Sequence, residues 1–72
     1  MLETVLLSKG LSKKEVMTVL FVFRGMSNKE AATAMNVKPK TIKFHLTNVF
    51  KKLNVKSRLQ LVTTFYNAAE GV

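Results

Sequence analysis

Two stripes of residues at helical spacing run along one short segment of the chain, from residue 39 to residue 53. At about 100° per residue, the two stripes point mostly to opposite sides of a helix. One stripe is apolar, whereas the other carries lysines, a threonine and a phenylalanine but no carboxylate. Such a face suits a polyanion that also offers apolar contacts, as the major groove of DNA does. The apolar stripe is Ile42, Leu46, Val49, Phe50 and Leu53, and the basic stripe is Lys40, Lys43, Phe44, Thr47 and Lys51.

The charge of the whole chain favours the same kind of partner. Among 72 residues, 12 Lys and Arg against 4 acidic residues give a formal net charge of +8. This balance favours an acidic partner. No acidic residue occurs between Ala31 and Ala69, so the second half of the chain is the electropositive half. The basic residues of that half are Lys38, Lys40, Lys43, Lys51, Lys52, Lys56 and Arg58.

The residues that the sequence lacks disfavour several classes of function. Without cysteine there is no disulfide, no thiolate nucleophile and no Cys-ligated zinc. With a single histidine, His45, and no aspartate, the chain cannot build a Ser-His-Asp triad or a dense carboxylate metal site. The longest apolar run, residues 19–23, is far shorter than the roughly 20 residues of a membrane span. We therefore expect a soluble protein that is not an enzyme and holds no metal or cofactor, with His45 as a packing residue.

Capping signals predict four helices. Ser12, Ser27 and Ser57 each stand three positions before a Glu or Gln, the spacing of a capping box, and Pro39 suits the first position of a helix. The predicted ends are residues that tolerate left-handed backbone, namely Gly25, Asn36, Asn54 and Gly71. The predicted helices cover residues 13–24, 28–35, 39–53 and 58–69. Residues 16–23 taken alone could also form a buried strand, because they are rich in β-branched and aromatic side chains.

The first ten residues precede this pattern as an N-terminal extension. Leu2, Val5 and Leu6 lie at helical spacing, so the extension is predicted either to fray or to form a short helix on the first predicted helix. We expect it to cover an apolar strip at Met17 and Leu20. The overall prediction is an all-α, compact four-helix domain at residues 11–72 with a central helix-turn-helix, formed by the second and third helices and a short turn.

Five groups of residues carry a family resemblance that covers about residues 11 to 69. They resemble the LuxR/GerE-type helix-turn-helix domain of bacterial transcription regulators. This resemblance implies a DNA-binding domain whose third helix reads bases and whose fourth helix often forms a dimer contact. The groups are Leu11-Ser12 with Glu15, Gly25-Met-Ser-Asn-Lys-Glu30-Ala-Ala32, Met35-Asn-Val37, Thr41-Ile-Lys-Phe-His45-Leu-Thr-Asn48-Val-Phe-Lys-Lys52-Leu-Asn-Val55, and Ser57-Arg58.

The resemblance assigns base contacts to Lys43, Phe44 and Thr47. Lys43 suits guanine O6 and N7, Phe44 suits a thymine methyl group, and Thr47 suits either. The alternative for Lys43 and Thr47 is a plain solvated face. For Phe44 it is a ring that folds back onto a neighbouring helix or meets a protein partner.

Phosphate contacts are assigned to two further sets of residues. Free N–H groups and the helix dipole favour an anion at the start of the second helix, although Ser27 there also serves as a cap. The remaining positions lie near the DNA strands in the family's docking pose. The assigned residues are Ser27, Asn28, Lys29, Lys40, Thr41 and Lys51, with Lys52, Lys56 and Arg58 as weaker candidates.

The fourth predicted helix is apolar on two sides. One side is expected to fill the core and the other, formed by Leu59, Val62 and Tyr66, to meet a second copy across a two-fold axis. The side expected to fill the core consists of Leu61, Phe65 and Ala69.

We therefore expect a homodimeric, sequence-specific regulator of transcription that binds double-stranded DNA in the bacterial cytoplasm, associated with the nucleoid and not with a membrane. Because only about ten residues precede the motif, we expect a stand-alone form without a sensor domain. A second regulator or RNA polymerase is a possible further partner. The alternative is a protein-interaction module that keeps the fold and uses Met17, Leu20 and the fourth helix to inhibit or modulate a related regulator.

Overall fold

A computed structural model describes residues 1–69 of the protein, and over that range the fold is all-α, as predicted. Residues 16–23 are helical and do not form a strand. None of the helices described is long and apolar enough to cross a membrane. The helices are α1 (Leu2–Ser8), α2 (Lys13–Phe23), α3 (Asn28–Met35), α4 (Pro39–Leu53), α5 (Arg58–Thr64) and α6 (Tyr66–Ala69).

Two complete capping boxes start α2 and α3. The hydroxyl oxygens of Ser12 and Ser27 accept from the backbone N–H groups three residues later at 3.2 and 3.1 Å. The carboxylates of Glu15 and Glu30 accept in return from the serine N–H groups, both at 2.8 Å. Because these bonds join residues three apart, the sequence spacing alone is enough to predict them.

Left-handed residues end α3 and α4, as predicted. Asn36 has φ 55° and Asn54 has φ 56°, both in the region that asparagine tolerates better than most residues. Gly25 follows α2 with φ 79°, a conformation that strains any side chain with a Cβ. The predicted end at Gly71 lies outside the described residues.

The predicted fourth helix is wrong as a single element, because α5 and α6 are separate helices with Phe65 between them. Phe65 has φ −108° and ψ 17°, outside helical geometry, while its side chain packs against the core. The Thr63 hydroxyl donates to the Gln60 carbonyl oxygen at 3.2 Å, a local bond that competes with the backbone ladder near the end of α5. The capping box predicted for this helix is also incomplete. Ser57 accepts from the Gln60 N–H at 3.0 Å, but the Gln60 side chain accepts from Lys56 and not from Ser57.

The core lies where α2 and α3 pack against α4. Helices α1 and α5 cover it by packing against α2. Small residues let α3 approach closely, since Ala31 and Ala32 are both buried. The extension forms α1, whose Leu2 and Leu6 are buried, while Met17 stays 43% exposed. The largest fully buried side chains are Leu6, Thr18, Val19, Ile42, Val49 and Leu61.

One ion pair joins the C-terminal end of α4 to α1 and α2. The Lys52 ammonium lies 2.7 Å from a carboxylate oxygen of Glu15 and donates to the carbonyl oxygen of Gly10 at 3.2 Å. Burial acts to raise the pKa of Glu15, but hydrogen bonds from Lys52 and from the Ser12 N–H outweigh it, so this pKa lies below its ordinary value. The Lys52 ammonium therefore links the C-terminal end of α4 to the start of α2 and to Gly10, which follows α1.

Candidate nucleic-acid interface

The exposed face of α4 is the centre of the candidate interface. The structure buries Ile42, Leu46, Val49 and Leu53 and leaves Phe50 half-buried, whereas every member of the basic stripe is exposed. No carboxylate belongs to α4 itself. The helix therefore presents cations and one aromatic ring to solvent while its other side is fixed in the core.

The three residues predicted to contact bases lie together on this face. Phe44 is 62% exposed, so its ring does not fold back onto a neighbouring helix. The rings of Phe44 and the half-buried His45 have centroids 6.1 Å apart and are tilted by 55°. The Thr47 hydroxyl donates to the carbonyl oxygen of Lys43 at 3.0 Å. Thr47 thus offers a base edge an acceptor oxygen and a methyl group, and Lys43 offers donors only.

The residues predicted to contact phosphate fall in three places. Ser27, Asn28 and Lys29 lie at the start of α3, where the backbone N–H groups of Asn28 and Lys29 have no acceptor within the helix. Lys40 and Thr41 lie in the first turn of α4, which Lys38 does not cap with its side chain. Lys51 lies in the last turn of α4 and is exposed.

A carboxylate stands beside the first of these places. Glu30 accepts a hydrogen bond from the Ser27 N–H, and the Ser27 backbone and side-chain bonds hold the pKa of Glu30 below its ordinary value. The charged carboxylate repels an anion and occupies one amide at this helix start. Any phosphate here must therefore rely on the remaining donors of Asn28 and Lys29.

Residues 9–65 match the family described as bacterial regulatory proteins, luxR family. The chain belongs to the LuxR family. The family resemblance predicted from the sequence is thereby confirmed, and LuxR-family domains of this kind are helix-turn-helix DNA-binding domains of transcription regulators.

Relatives of this LuxR-family domain include response regulators of two bacterial genera. The chain is 34% identical over 55 residues to the nitrate/nitrite response regulator protein NarP of Escherichia coli (strain K12), a match covering 76% of this chain and 26% of NarP. It is 38% identical over 52 residues to the response regulator protein VraR of Staphylococcus aureus (strain Mu3), covering 72% of this chain and 25% of VraR. The chain thus spans about a quarter of the length of these curated relatives. No solved structure gives a significant match to it.

Two of the weaker phosphate candidates in this LuxR-family domain are engaged within the fold. Lys52 pairs with Glu15, and the half-buried Arg58 donates to Asn28 Oδ1 at 2.8 Å and to the Met26 carbonyl oxygen. Sequence reasoning missed this role of Arg58, because its partners are about 30 residues away in the chain. The Ser57-Arg58 pair in the family motif was the only signal that singled it out.

The residues predicted to form a dimer contact are exposed to different degrees. Leu59 is 72% exposed and Tyr66 is 55% exposed, whereas Val62 is half-buried. Val62 and Tyr66 line one groove together with Leu20 and Phe23 of α2, and Leu59 does not line it. The three residues therefore do not all lie in one groove.

Proposed function

We propose that this LuxR-family domain binds double-stranded DNA at specific sequences as a bacterial transcription regulator, with α4 in the major groove. The observation that carries the proposal is the exposed face of α4, where lysines surround an aromatic ring that is 62% exposed and no carboxylate intervenes. Charge complementarity supplies affinity for any duplex, and contacts to base edges supply discrimination.

Base reading in this proposal is the work of Lys43, Phe44 and Thr47. Lysine donates to guanine O6 and N7, while an apolar ring and a threonine methyl group pack on thymine methyl groups. The register on the duplex is set by phosphate contacts at the starts of α3 and α4 and at Lys51. These contacts come from Ser27, Asn28, Lys29, Lys40, Thr41 and Lys51.

The proposal includes a homodimer formed through α5 and α6. Two large apolar side chains there, Leu59 and Tyr66, are exposed to solvent, and Val62 adjoins Tyr66. A two-fold axis would set two half-sites about 34 Å apart on the duplex.

The proposal includes neither a catalytic activity nor a cofactor. We expect the protein to work at the nucleoid in the bacterial cytoplasm, where its DNA ligand lies.

The alternative, a protein-interaction module that keeps the fold and inhibits or modulates a related regulator, has narrower support. Of its two α2 residues, Met17 is 43% exposed, but Leu20 is half-buried and lines a groove with Leu2. An apolar strip of one exposed residue is too small to mark an interface by itself.

The experiment compares two lysine variants on the same helix. Lys43→Ala should weaken binding to a duplex selected from a random pool by about 5-fold to 150-fold, the value of a lost base contact, and should weaken binding to unselected DNA much less. Lys51→Ala removes the same charge but should weaken both duplexes evenly and lower the salt slope of binding by about 0.9.

Fluorescence anisotropy over a range of salt concentrations measures both quantities. Equal loss on both duplexes for Lys43→Ala would remove Lys43 from base reading. Association of the unmodified protein that is millimolar and insensitive to salt would favour the protein-interaction alternative.

A further inference from the structure

Arg58 bridges two residues on either side of the Ser27 cap. Its guanidinium donates to Asn28 Oδ1 at 2.8 Å and to the carbonyl oxygen of Met26. Arg58 is the first residue of α5, and Asn28 is the first residue of α3. One side chain therefore ties the start of α5 to the start of the first helix of the helix-turn-helix.

This contact dictates which way the Asn28 amide faces. A guanidinium has donors only, so the side-chain atom of Asn28 that meets Arg58 must be the carbonyl oxygen. The Asn28 NH₂ group then points elsewhere and forms no hydrogen bond with any residue of the described range. No buried side-chain nitrogen or oxygen in that range lacks a partner, so this NH₂ group is open to solvent.

The free NH₂ group lies at the helix start where the proposed function places a phosphate. The backbone N–H groups of Asn28 and Lys29 have no acceptor within the helix there, while the Glu30 carboxylate opposes an anion. With its oxygen held by Arg58, the Asn28 side chain adds N–H donors to a helix start that already contains the Glu30 carboxylate. With the amide reversed, Asn28 would present its carbonyl oxygen there instead, and a phosphate would be repelled.

We propose that Arg58 is a positioning residue for DNA binding, which fixes the Asn28 side chain so that its NH₂ group donates to a backbone phosphate. This inference rests on the proposed function. It assigns Arg58 no phosphate contact of its own, because the side chain is half-buried and its guanidinium is already held by two acceptors.

A double-mutant cycle on duplex affinity tests the inference. Asn28→Ala and Arg58→Ala should each raise the Kd about tenfold, near the lower limit for the loss of a hydrogen bond to a charged group. The combined variant should bind no more weakly than Asn28→Ala alone, since Arg58 acts through Asn28. Multiplied effects in the combined variant would overturn the inference, as would unchanged binding by either single variant.

A matched control separates positioning from charge. Lys13→Ala removes one positive charge from an exposed residue that has no part in the candidate interface, and it should change the Kd much less than Arg58→Ala does. Equal losses for the two variants would reduce Arg58 to a general charge and would overturn the proposal. If circular dichroism shows that Arg58→Ala does not fold, Arg58→Met replaces it in the cycle, because methionine keeps an apolar stem of similar length but has no hydrogen-bond donor.

A spectroscopic readout reports on the amide itself. In ¹H–¹⁵N spectra, the Asn28 side-chain NH₂ pair, identified by its loss in Asn28→Ala, should shift when duplex is added. In Arg58→Ala that shift should shrink or disappear, whereas a purely structural role for Arg58 would leave it intact. Failure of the unmodified protein to bind any duplex would instead defeat the proposed function, so the two failures are distinguishable.

Discussion

Phe44 is the residue whose exposure has the most direct consequence for specificity. Its ring is 62% exposed on a helix whose opposite side is buried, and it lies next to the half-buried ring of His45. Covering a large exposed apolar side chain with a ligand lowers the free energy of the complex. Among the groups on base edges in the major groove, the thymine methyl group is the apolar one.

The first prediction at this scale concerns that methyl group. Replacing a contacted thymine by deoxyuridine removes only the methyl and should raise the Kd about fourfold, the value of one buried CH₂ or CH₃ group. Phe44→Ala should bind more weakly and should no longer distinguish the two duplexes, while its free energy of unfolding should change by less than about 0.5 kcal/mol. Anisotropy and thermal unfolding measure these quantities. Full discrimination by Phe44→Ala would show that another residue reads the methyl group.

Single residues were predictable where one helix determines their environment. The spacing of the two α4 stripes is enough to tell that Ile42 is buried and Lys43 exposed. The pairing of Arg58 with Asn28 joins residues 30 positions apart, so no local pattern contains it. The same holds for Lys52 and Glu15, which the fold brings together from two helices.

At the scale of elements, helix starts were predictable and one helix interior was not. The Ser12 and Ser27 caps are local bonds, and a sequence spacing specifies them completely. The break between α5 and α6 falls at Phe65, whose side chain packs against the core. The apolar pattern of residues 58–69 continues through the break, so the pattern gives no sign that the helix is interrupted.

A pH prediction follows for the contact that joins α1, α2 and α4. The pKa of Glu15 is lowered in the folded protein, so its stabilising effect is present above the ordinary value of 4.5 and is lost as the pH falls through the folded pKa. The free energy of unfolding should therefore decrease as the pH is lowered below about 4.5. Lys52→Met should flatten this decrease, because it removes a hydrogen bond and a charge that lower the pKa.

Urea unfolding at a series of pH values measures this effect. Lys56→Met also removes one positive charge, but Glu15 pairs with Lys52 and not with Lys56. The decrease in unfolding free energy at low pH should therefore be the same in Lys56→Met as in the unmodified protein. Some decrease should remain in every variant, since the pKa values of Glu3 and Glu30 are lowered as well. Identical pH curves for Lys52→Met and Lys56→Met would remove the ion pair as a source of stability.

At the scale of the whole molecule, the proposed dimer can be tested with matched substitutions. Leu59→Glu changes a side chain that is 72% exposed, so the fold should survive while association through α5 and α6 is lost. Leu7→Glu on α1 makes the same chemical change at a residue that is 52% exposed and should leave association intact.

Analytical ultracentrifugation with and without a duplex containing two half-sites measures the mass. The unmodified protein and Leu7→Glu should bind as two copies, and Leu59→Glu should bind as one copy with weaker affinity. A single copy of the unmodified protein, both free and on DNA, would exclude the homodimer.

The distribution of carboxylates also affects how the protein reaches its target. The three carboxylates of the described residues, Glu3, Glu15 and Glu30, all come from the first half of the chain, and Lys52 neutralises Glu15. The lysines of the exposed α4 face therefore have no carboxylate on their own helix to offset them. Near a duplex, we expect the phosphates to attract this face, so that approach with α4 leading is favoured. Encounters then begin closer to the productive orientation, so association is fast at low ionic strength and slows as salt screens the field.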